Sequence, residues 1–215
     1  MSQDLVADIK TMQRAVGAEP DGKVGSETVG KVLQHLRTMD LVAPVYQEVD
    51  VLDDRTRAAI DTLDAKARQK FVDFSMLAKA TAATFGCNYV MISGHRTWEA
   101  QNALHAQPKD GKDNDGDGKI DEADEKVTNA LGGYSNHNFG IAADYGVFEG
   151  KAYLDNTNPN LAARVHQACA VHARALGLEW GGDWKRFKDY PHFEIRTGLT
   201  MAQKRKLYQQ KGSVL

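Results

Sequence analysis

The stretch SNHNFGIAAD, residues 135–144, decides how the second half of the chain is interpreted. His137 and Asp144 stand in it with six residues between them, and Gly140 permits the chain to turn in that interval. Imidazole nitrogen and carboxylate oxygen are both ligands that suit Zn²⁺ at about 2.0–2.2 Å. The stretch therefore predicts two ligands of a metal site on either side of a turn.

The stretch DYPHFE, residues 189–194, offers the third ligand that such a site needs. His192 is the candidate, and Asp189 stands three residues before it with Pro191 fixing the backbone between them. A catalytic zinc site keeps its fourth position for water. We expect the Asp189 carboxylate to face that water.

Composition limits the class of protein. The 215 residues are 42% hydrophobic and 26% charged, which excludes a disordered or collagen-like chain and suggests one or two domains. A formal net charge of −2 gives no case for nucleic-acid binding. No stretch reaches the roughly 20 apolar residues that span a bilayer, so we expect no membrane insertion. The first ten residues, MSQDLVADIK, lack the basic and apolar regions of a secretory signal, so we expect no export signal.

Residues 1–42 are predicted to form a small helical module. Apolar residues recur at helical spacing before a turn at residues 20–22, PDG, and Ser26 is the expected cap of a second helix. The segment resembles the helical peptidoglycan-binding repeat of cell-wall hydrolases, on the residues Ile9, Met12, Gln13, Gly17, Asp21, Gly22, Gly25 and Thr28. The alternative is a helical hairpin that only packs on the rest of the chain. Residues 43–60 are interpreted as a linker.

Residues 61–215 are predicted to be an α+β domain, in which a small antiparallel sheet with flanking helices holds the metal site. Hydrophobic periodicity and caps predict helices over residues 64–86, 97–106 and 161–176. Short apolar runs predict strands at residues 89–92, 141–148 and 192–195. Cys87 and Cys169 lie in apolar segments and are expected to be buried, inert thiols. The basic segment 185–215 is interpreted as a solvated face, and contact with acidic wall polymers is the alternative.

The two metal-site segments together resemble the zinc peptidases of the D-alanyl-D-alanine carboxypeptidase and L-alanyl-D-glutamate endopeptidase family. Their shared patterns are Ser-x-His-x-x-Gly-x-Ala-x-Asp and Asp-x-Pro-His-Phe-Glu. The sequence around these patterns also resembles the family, with SGHRT at residues 93–97, VTNA at 127–130 and EWGGDW at 179–184. The resemblance runs from about residue 50 to residue 197. One departure is His95, where the family usually has an aromatic or other bulky residue before the arginine.

The resemblance implies a role for each matching residue. The implied zinc ligands are His137, Asp144 and His192. Asp189 becomes the general base that takes a proton from the zinc water and passes it to the leaving amine. Arg96 would steady the developing oxyanion, and Ser135 would hydrogen-bond the peptide substrate or the ligands.

An acidic segment at residues 113–124, DNDGDGKIDEAD, follows the calcium loop of an EF-hand. Gly118 stands at the sharp turn, and Asp124 replaces the usual bidentate glutamate at the last position. We interpret residues 109–126 as an insertion that binds Ca²⁺, with a merely solvated acidic loop as the alternative. The candidate calcium residues are Asp113, Asp115, Asp117, Lys119, Asp121 and Asp124.

Together these features and the resemblance predict a phage endolysin, a monomer in which a wall-binding module precedes a zinc peptidase that cuts the L-alanyl-D-glutamate bond of peptidoglycan stem peptides. It would be made in the host cytoplasm and reach the wall after the membrane is permeabilised. One alternative is a D-alanyl-D-alanine carboxypeptidase, which trims the peptide end. Another is a non-catalytic wall-binding protein that retains the zinc fold.

Overall fold

The computed structural model describes residues 3–23, 28, 31–32, 35, 52–114, 116–120, 123 and 125–215. In these residues the helices are α1 Gln3–Ala15, α2 Asp54–Asp61, α3 Ala65–Ala83, α4 Trp98–Ala106, α5 Leu154–Thr157, α6 Pro159–Ala175 and α7 Met201–Lys211. The strands are β1 Asn88–Ser93, β2 Ala142–Glu149, β3 Ala152–Tyr153, β4 Leu178–Trp180 and β5 His192–Ile195. The predicted α+β class with a small antiparallel sheet is confirmed.

Strand β2 lies at the centre of the sheet and determines where the site forms. The strand order is β1-β2-β5-β4, and β3 also pairs with β2. Asp144 on β2 lies directly opposite His192 on β5. On the other side Asp144 lies opposite Ser93, after an irregularity in β1 between Met91 and Ser93. The register thus brings two of the three candidate ligands side by side.

The alternation of side chains along the strands separates the core from the site. Tyr145 and Phe193, the neighbours of Asp144 and His192, are fully buried on the face that α3 covers. The Phe74 ring of α3 lies 5.0 Å from the ring of Tyr145 and 4.5 Å from that of Phe193. Because successive residues point to opposite faces, Asp144 and His192 lie on the face away from this aromatic core.

The helix boundaries follow the predicted caps closely. The Asp64 side chain accepts a hydrogen bond from the backbone N–H of Lys66 and caps α3, and Thr97 caps α4 through the N–H of Ala100. Helix α6 begins earlier than predicted, because Asn158 caps it and Pro159 occupies its first turn. None of the helices in the described part of the chain combines the length and the apolar character that a membrane span requires.

The predicted linker at residues 43–60 is wrong at its C-terminal end, because α2 occupies Asp54–Asp61. Ile60 of this helix is part of the buried core, and the Thr56 hydroxyl accepts a hydrogen bond from the backbone N–H of Met91 in β1. The helix has few apolar residues, so its periodicity was too weak to identify. The domain therefore includes α2, and residues 43–51 lie outside the described residues.

The N-terminal module is described mainly in α1 and the turn that follows it. The Gln13 amide is buried, donates to Asp21, to the carbonyl of Lys23 and to Thr28, and accepts from the N–H of Gly22. These bonds fix the turn against the helix. The predicted Ser26 cap and most of the second helix lie outside the described residues. The buried core cluster contains no described residue before Ile60.

Candidate metal centre

Three side chains converge on one point beside the sheet. The Nε2 atom of His137 lies 3.2 Å from Oδ1 of Asp144 and 3.3 Å from Nδ1 of His192. The third side of the triangle, from His192 Nδ1 to Asp144 Oδ1, is 3.1 Å. Among the described residues, these three form the one group of histidine, cysteine and acidic side chains close enough to share a metal ion.

The size of the triangle fits a tetrahedral metal site. Ligands at about 2.0–2.1 Å from a tetrahedral zinc ion are separated from each other by about 3.3 Å. The observed separations of 3.1–3.3 Å match that value. Two imidazoles and one carboxylate are also a donor set that zinc accepts. The residues present therefore fit the metal.

A short 3₁₀ helix, Asn136–Phe139, holds His137 in place. The Ser135 hydroxyl accepts a hydrogen bond from the backbone N–H of His137 at 3.4 Å and caps the helix. Gly140 ends it with φ of 65°, in the left-handed region that favours glycine. A Cβ atom at Gly140 would lie 2.5 Å from the backbone nitrogen of Asp64, so only glycine fits the turn.

The ligand candidates strongly influence one another's protonation. Burial alone would raise the pKa of the Asp144 carboxyl, but the charges and hydrogen bonds of His137 and His192 hold that pKa well below its usual range. Burial would likewise lower the pKa of His192, but its hydrogen bonds to Asp144 and Glu194 raise it to about 10. Without a metal, His192 therefore carries a proton at neutral pH, and a metal must displace it.

The Arg96 guanidinium lies beside the triangle. Its Nη2 atom is 3.6 Å from Oδ2 of Asp144 and donates to the Ser93 hydroxyl at 3.1 Å, and its Nη1 atom donates to Oε1 of Gln101 at 2.9 Å. Gln101 is fully buried and also donates to the Thr128 hydroxyl at 3.0 Å. These bonds fix the guanidinium with one edge toward the cleft. The sequence did not predict this role for Gln101.

Asp189 lies in the same cleft but outside the triangle. Its backbone N–H donates to the carbonyl of Gly181, and its own carbonyl accepts from the N–H of His192. A Cβ atom at Gly181 would lie 2.3 Å from the Asp189 carbonyl oxygen, so the loop approaches closely there. Burial raises the pKa of the Asp189 carboxyl, although the nearby His192 opposes that rise. A raised pKa makes the carboxylate a better proton acceptor than an ordinary aspartate.

The cleft itself has a volume of about 460 Å³ and contains all the proposed catalytic side chains. Its rim carries large exposed apolar side chains, among them Val127, Tyr134 and Phe187. Arg205 lies over the ring of Tyr134, with its guanidinium carbon 4.1 Å from the ring centre. An open cleft with apolar walls and a polar floor is suited to an extended peptide.

The acidic loop is described only in part, because Asp115, Asp121 and Asp124 lie outside the described residues. The Asp113 carboxylate accepts from the backbone N–H groups of Gly116 and Gly118 at 2.6 and 2.9 Å. Asp117 forms an ion pair with Lys119 at 2.8 Å. After the loop, the buried Glu125 accepts from the N–H of Asn114 at 2.8 Å. Sequence reasoning did not identify Glu125.

A further group, which the sequence did not predict, lies behind His192. The Nε2 atom of His192 is 2.9 Å from Oε2 of Glu194, and the Asn136 amide donates to the same oxygen at 2.7 Å. Lys204 then donates to Oδ1 of Asn136 at 2.6 Å. The interpretation of segment 185–215 as a solvated face is therefore wrong for Lys204, which is buried. Helix α7 places it against the site instead of in water.

Comparison with known proteins agrees with this geometry. Residues 128–195 match the peptidase family model described as D-alanyl-D-alanine carboxypeptidase. The matched segment contains every candidate zinc ligand and Asp189, whereas Arg96 and the acidic loop lie before it. This part of the chain is therefore similar to a peptidase region of that family.

A more specific similarity is to the peptidoglycan L-alanyl-D-glutamate endopeptidase CwlK of Bacillus subtilis (strain 168). The two are 38% identical over 122 residues, which cover 54% of this chain and 66% of CwlK. Among solved structures, the L-Ala D-Glu endopeptidase ChiX of Serratia marcescens has a TM-score of 0.45 at 18% identity, covering 70% of this chain and 95% of that one. The D,D-pentapeptidase VanY, solved with Zn(II), has a TM-score of 0.41 at 17% identity, covering 71% and 81%.

Proposed function

We propose that this chain is a zinc-dependent peptidase that hydrolyses the L-alanyl-D-glutamate bond of peptidoglycan stem peptides. The observation that carries the proposal is the triangle of His137, Asp144 and His192, whose separations of 3.1–3.3 Å suit a tetrahedral metal. The choice of bond follows the similarity to CwlK. The zinc requirement follows the donor chemistry of the triangle.

The mechanism assigns one task to each side chain around the triangle. Zinc held there supplies Lewis acidity and lowers the pKa of water at the site. Asp189 accepts a proton from the attacking water and returns it to the leaving amine. Arg96, held by Ser93 and Gln101, faces the negative charge that develops on the carbonyl oxygen. Ser135 caps the helix of His137, and its hydroxyl also lines the cleft where the peptide binds.

A D-alanyl-D-alanine carboxypeptidase is the second candidate, favoured by the description of the matching family model. The two activities give different products. The endopeptidase separates alanine from glutamate and leaves alanine on the sugar strand, whereas the carboxypeptidase releases free D-alanine. A non-catalytic wall-binding protein is disfavoured, because such a protein has no need to keep Asp189 beside an intact set of ligands.

We further propose that the protein is a phage endolysin that acts as a monomer, since one chain supplies the whole cleft. It would be made in the host cytoplasm and would degrade the wall after the membrane is permeabilised. The small module at residues 1–42 would bind peptidoglycan and raise the local enzyme concentration. Removing residues 1–42 should then reduce activity on intact sacculi more than activity on soluble muropeptides. Equal losses of activity on both substrates would instead show that residues 1–42 support the fold of the peptidase domain.

Calcium binding at residues 113–124 is a separate part of the proposal. Asp113 already turns the loop around its carboxylate, and a cation would neutralise the charge that the acidic residues place there. Calorimetric titration of Ca²⁺ should show one site, which Asp113→Ala with Asp117→Ala should remove. If the wild-type protein released no heat with Ca²⁺ and kept its activity in a calcium chelator, the loop would be only a solvated insertion.

The decisive experiment for the activity is metal removal followed by reconstitution. Apo-protein, checked by elemental analysis, should not cleave purified muropeptides, and one equivalent of Zn²⁺ should restore cleavage. Full activity in verified apo-protein would rule out the metal mechanism.

A further inference from the structure

A chain of hydrogen bonds leads from the candidate metal site to the C-terminal helix α7. It runs from Nε2 of His192 to Oε2 of Glu194 at 2.9 Å, and from that oxygen to the Asn136 amide at 2.7 Å. It ends at Nζ of Lys204, which is 2.6 Å from Oδ1 of Asn136. The sequence separation between Lys204 and Asn136 is 68 residues, so the fold alone brings them together.

Three side chains of this hydrogen-bonded network are almost completely buried. The exposed fractions are 7% for Asn136, 6% for His192 and 5% for Lys204. Burying an ammonium group destabilises a protein unless the group is paired. Lys206, two residues further along the same helix, is exposed to solvent, so its charge needs no such partner. The burial of Lys204 is therefore explained by its contact with Asn136 and not by the solubility of the protein.

The donor and acceptor chemistry of these groups determines which group donates in each hydrogen bond. A lysine ammonium can only donate, so Asn136 presents its oxygen to Lys204 and its N–H₂ to Glu194. A carboxylate can only accept, so the proton on the far side of the His192 ring stays on Nε2. The lone pair of Nδ1 is then left for the metal. Each bond fixes the orientation of the next group toward the site.

We propose that Lys204 and Asn136 are positioning residues, which hold Glu194 in the orientation that keeps Nδ1 of His192 available to the metal. The inference rests on the proposed function, because it needs a metal at the triangle. Asn136 and Glu194 also line the cleft, whereas Lys204 is not among its lining residues. A substitution of Lys204 therefore tests the positioning role without changing a residue that lines the cleft.

The test compares Lys204→Met with the matched control Lys206→Met. Zinc affinity is measured by competition with a chromophoric chelator, which does not depend on catalysis. Removing a direct outer partner of a metal ligand weakens metal binding about 10–100-fold, and the loss for Lys204, which reaches His192 only through Asn136 and Glu194, lies at the lower end, about tenfold. We expect that loss in Lys204→Met, together with a changed visible spectrum of the Co²⁺-substituted protein, and neither effect in Lys206→Met. Zinc affinity in Lys204→Met equal to that of the control would overturn the inference.

A double-mutant cycle tests the route through Asn136. If Lys204 acts through Asn136, Lys204→Met should cause little further loss of zinc affinity once Asn136→Ala is present. Fully additive losses would contradict the route. If Lys204→Met lowers the melting temperature of the metal-free protein, Lys204→Arg decides, because it keeps a cationic donor. Arginine should restore most of the affinity, and a loss equal to that of methionine would count against positioning.

These outcomes separate the inference from the proposed function. Zinc-dependent cleavage in the unmodified protein, with zinc affinity unaffected in Lys204→Met, would contradict only the positioning role. Zinc binding that depends on Lys204, in a protein that cleaves no muropeptide, would contradict only the peptidase activity.

Discussion

The Nδ1 atom of His137 lies 2.8 Å from the carbonyl oxygen of Gly94, which lies just after the end of β1. A carbonyl only accepts hydrogen bonds, so Nδ1 carries a proton, and Nε2 is the ring atom that faces Asp144 and His192 and would bind the metal. Gly94 has no room for a side chain, since a Cβ atom there would lie 2.5 Å from the carbonyl oxygen of Ala59. Both histidines of the triangle are thus held by an outer partner in the orientation that a metal needs.

Zinc binding should release a proton near neutral pH. The pKa of His192 is raised to about 10 in the metal-free site, so the ring is protonated at pH 7 and must lose a proton to bind zinc. Zinc affinity should therefore rise with pH up to that value. Calorimetry in buffers of different ionisation enthalpy should give about one proton released per zinc ion at pH 7. No proton release at that pH would show that His192 is already neutral in the metal-free site.

Asp189→Asn should reduce kcat about 10²–10⁴-fold, because the amide cannot accept the proton of the attacking water. Zinc content should stay near that of the wild type, since Asp189 lies outside the ligand triangle. Asp183→Asn is the matched control, an exposed aspartate in the same segment that pairs with Arg174 at 2.8 Å. Loss of zinc from the Asp189 variant would show that Asp189 is a zinc ligand and not the general base.

Gly140→Ala should destabilise the protein by about 2 kcal/mol or more, as judged by denaturant unfolding. The left-handed conformation contributes one part of the cost, and the contact of 2.5 Å with the backbone of Asp64 contributes the rest. Gly150→Ala controls for the conformation alone, because φ is 56° there and nothing lies within 4 Å of the added atom. Equal effects of the two substitutions would show that the contact with Asp64 is unimportant.

Neither cysteine should react with iodoacetamide in the native protein at pH 8. Both thiols are buried, and burial raises the pKa of Cys87 and raises that of Cys169 to about 12. The reactive thiolate is thus scarce as well as inaccessible. Mass spectrometry should find no adduct on the folded protein and two after denaturation. Rapid native labelling of Cys169 would contradict its place in the core.

The sequence predicted the parts of this molecule that depend on local patterns. Asp64 and Thr97 were identifiable as caps because a polar residue stood directly before a helical periodicity. The short strand around Asp144 was also visible, because apolar residues surround a single acidic residue. Such signals lie within a few residues of the element that they determine.

What the sequence could not predict depends on long-range contacts. Lys204 is one of several cations near the C-terminus, and only the fold shows that it is buried against Asn136. Helix α2 was assigned to a linker because its main stabilising contacts, such as that of Thr56 with Met91, come from β1. The role of Gln101 depends equally on a partner 27 residues away, Thr128.

In the proposed function, the triangle of His137, Asp144 and His192 supports zinc-dependent cleavage between L-alanine and D-glutamate. The most direct measurement is mass spectrometry of purified muropeptides digested by the zinc-loaded protein, with a chelated sample in parallel. We expect peptides with a new N-terminal glutamate and sugar fragments that keep alanine, and neither product in the chelated sample. Release of free D-alanine alone, or the same products from verified apo-protein, would contradict the claim.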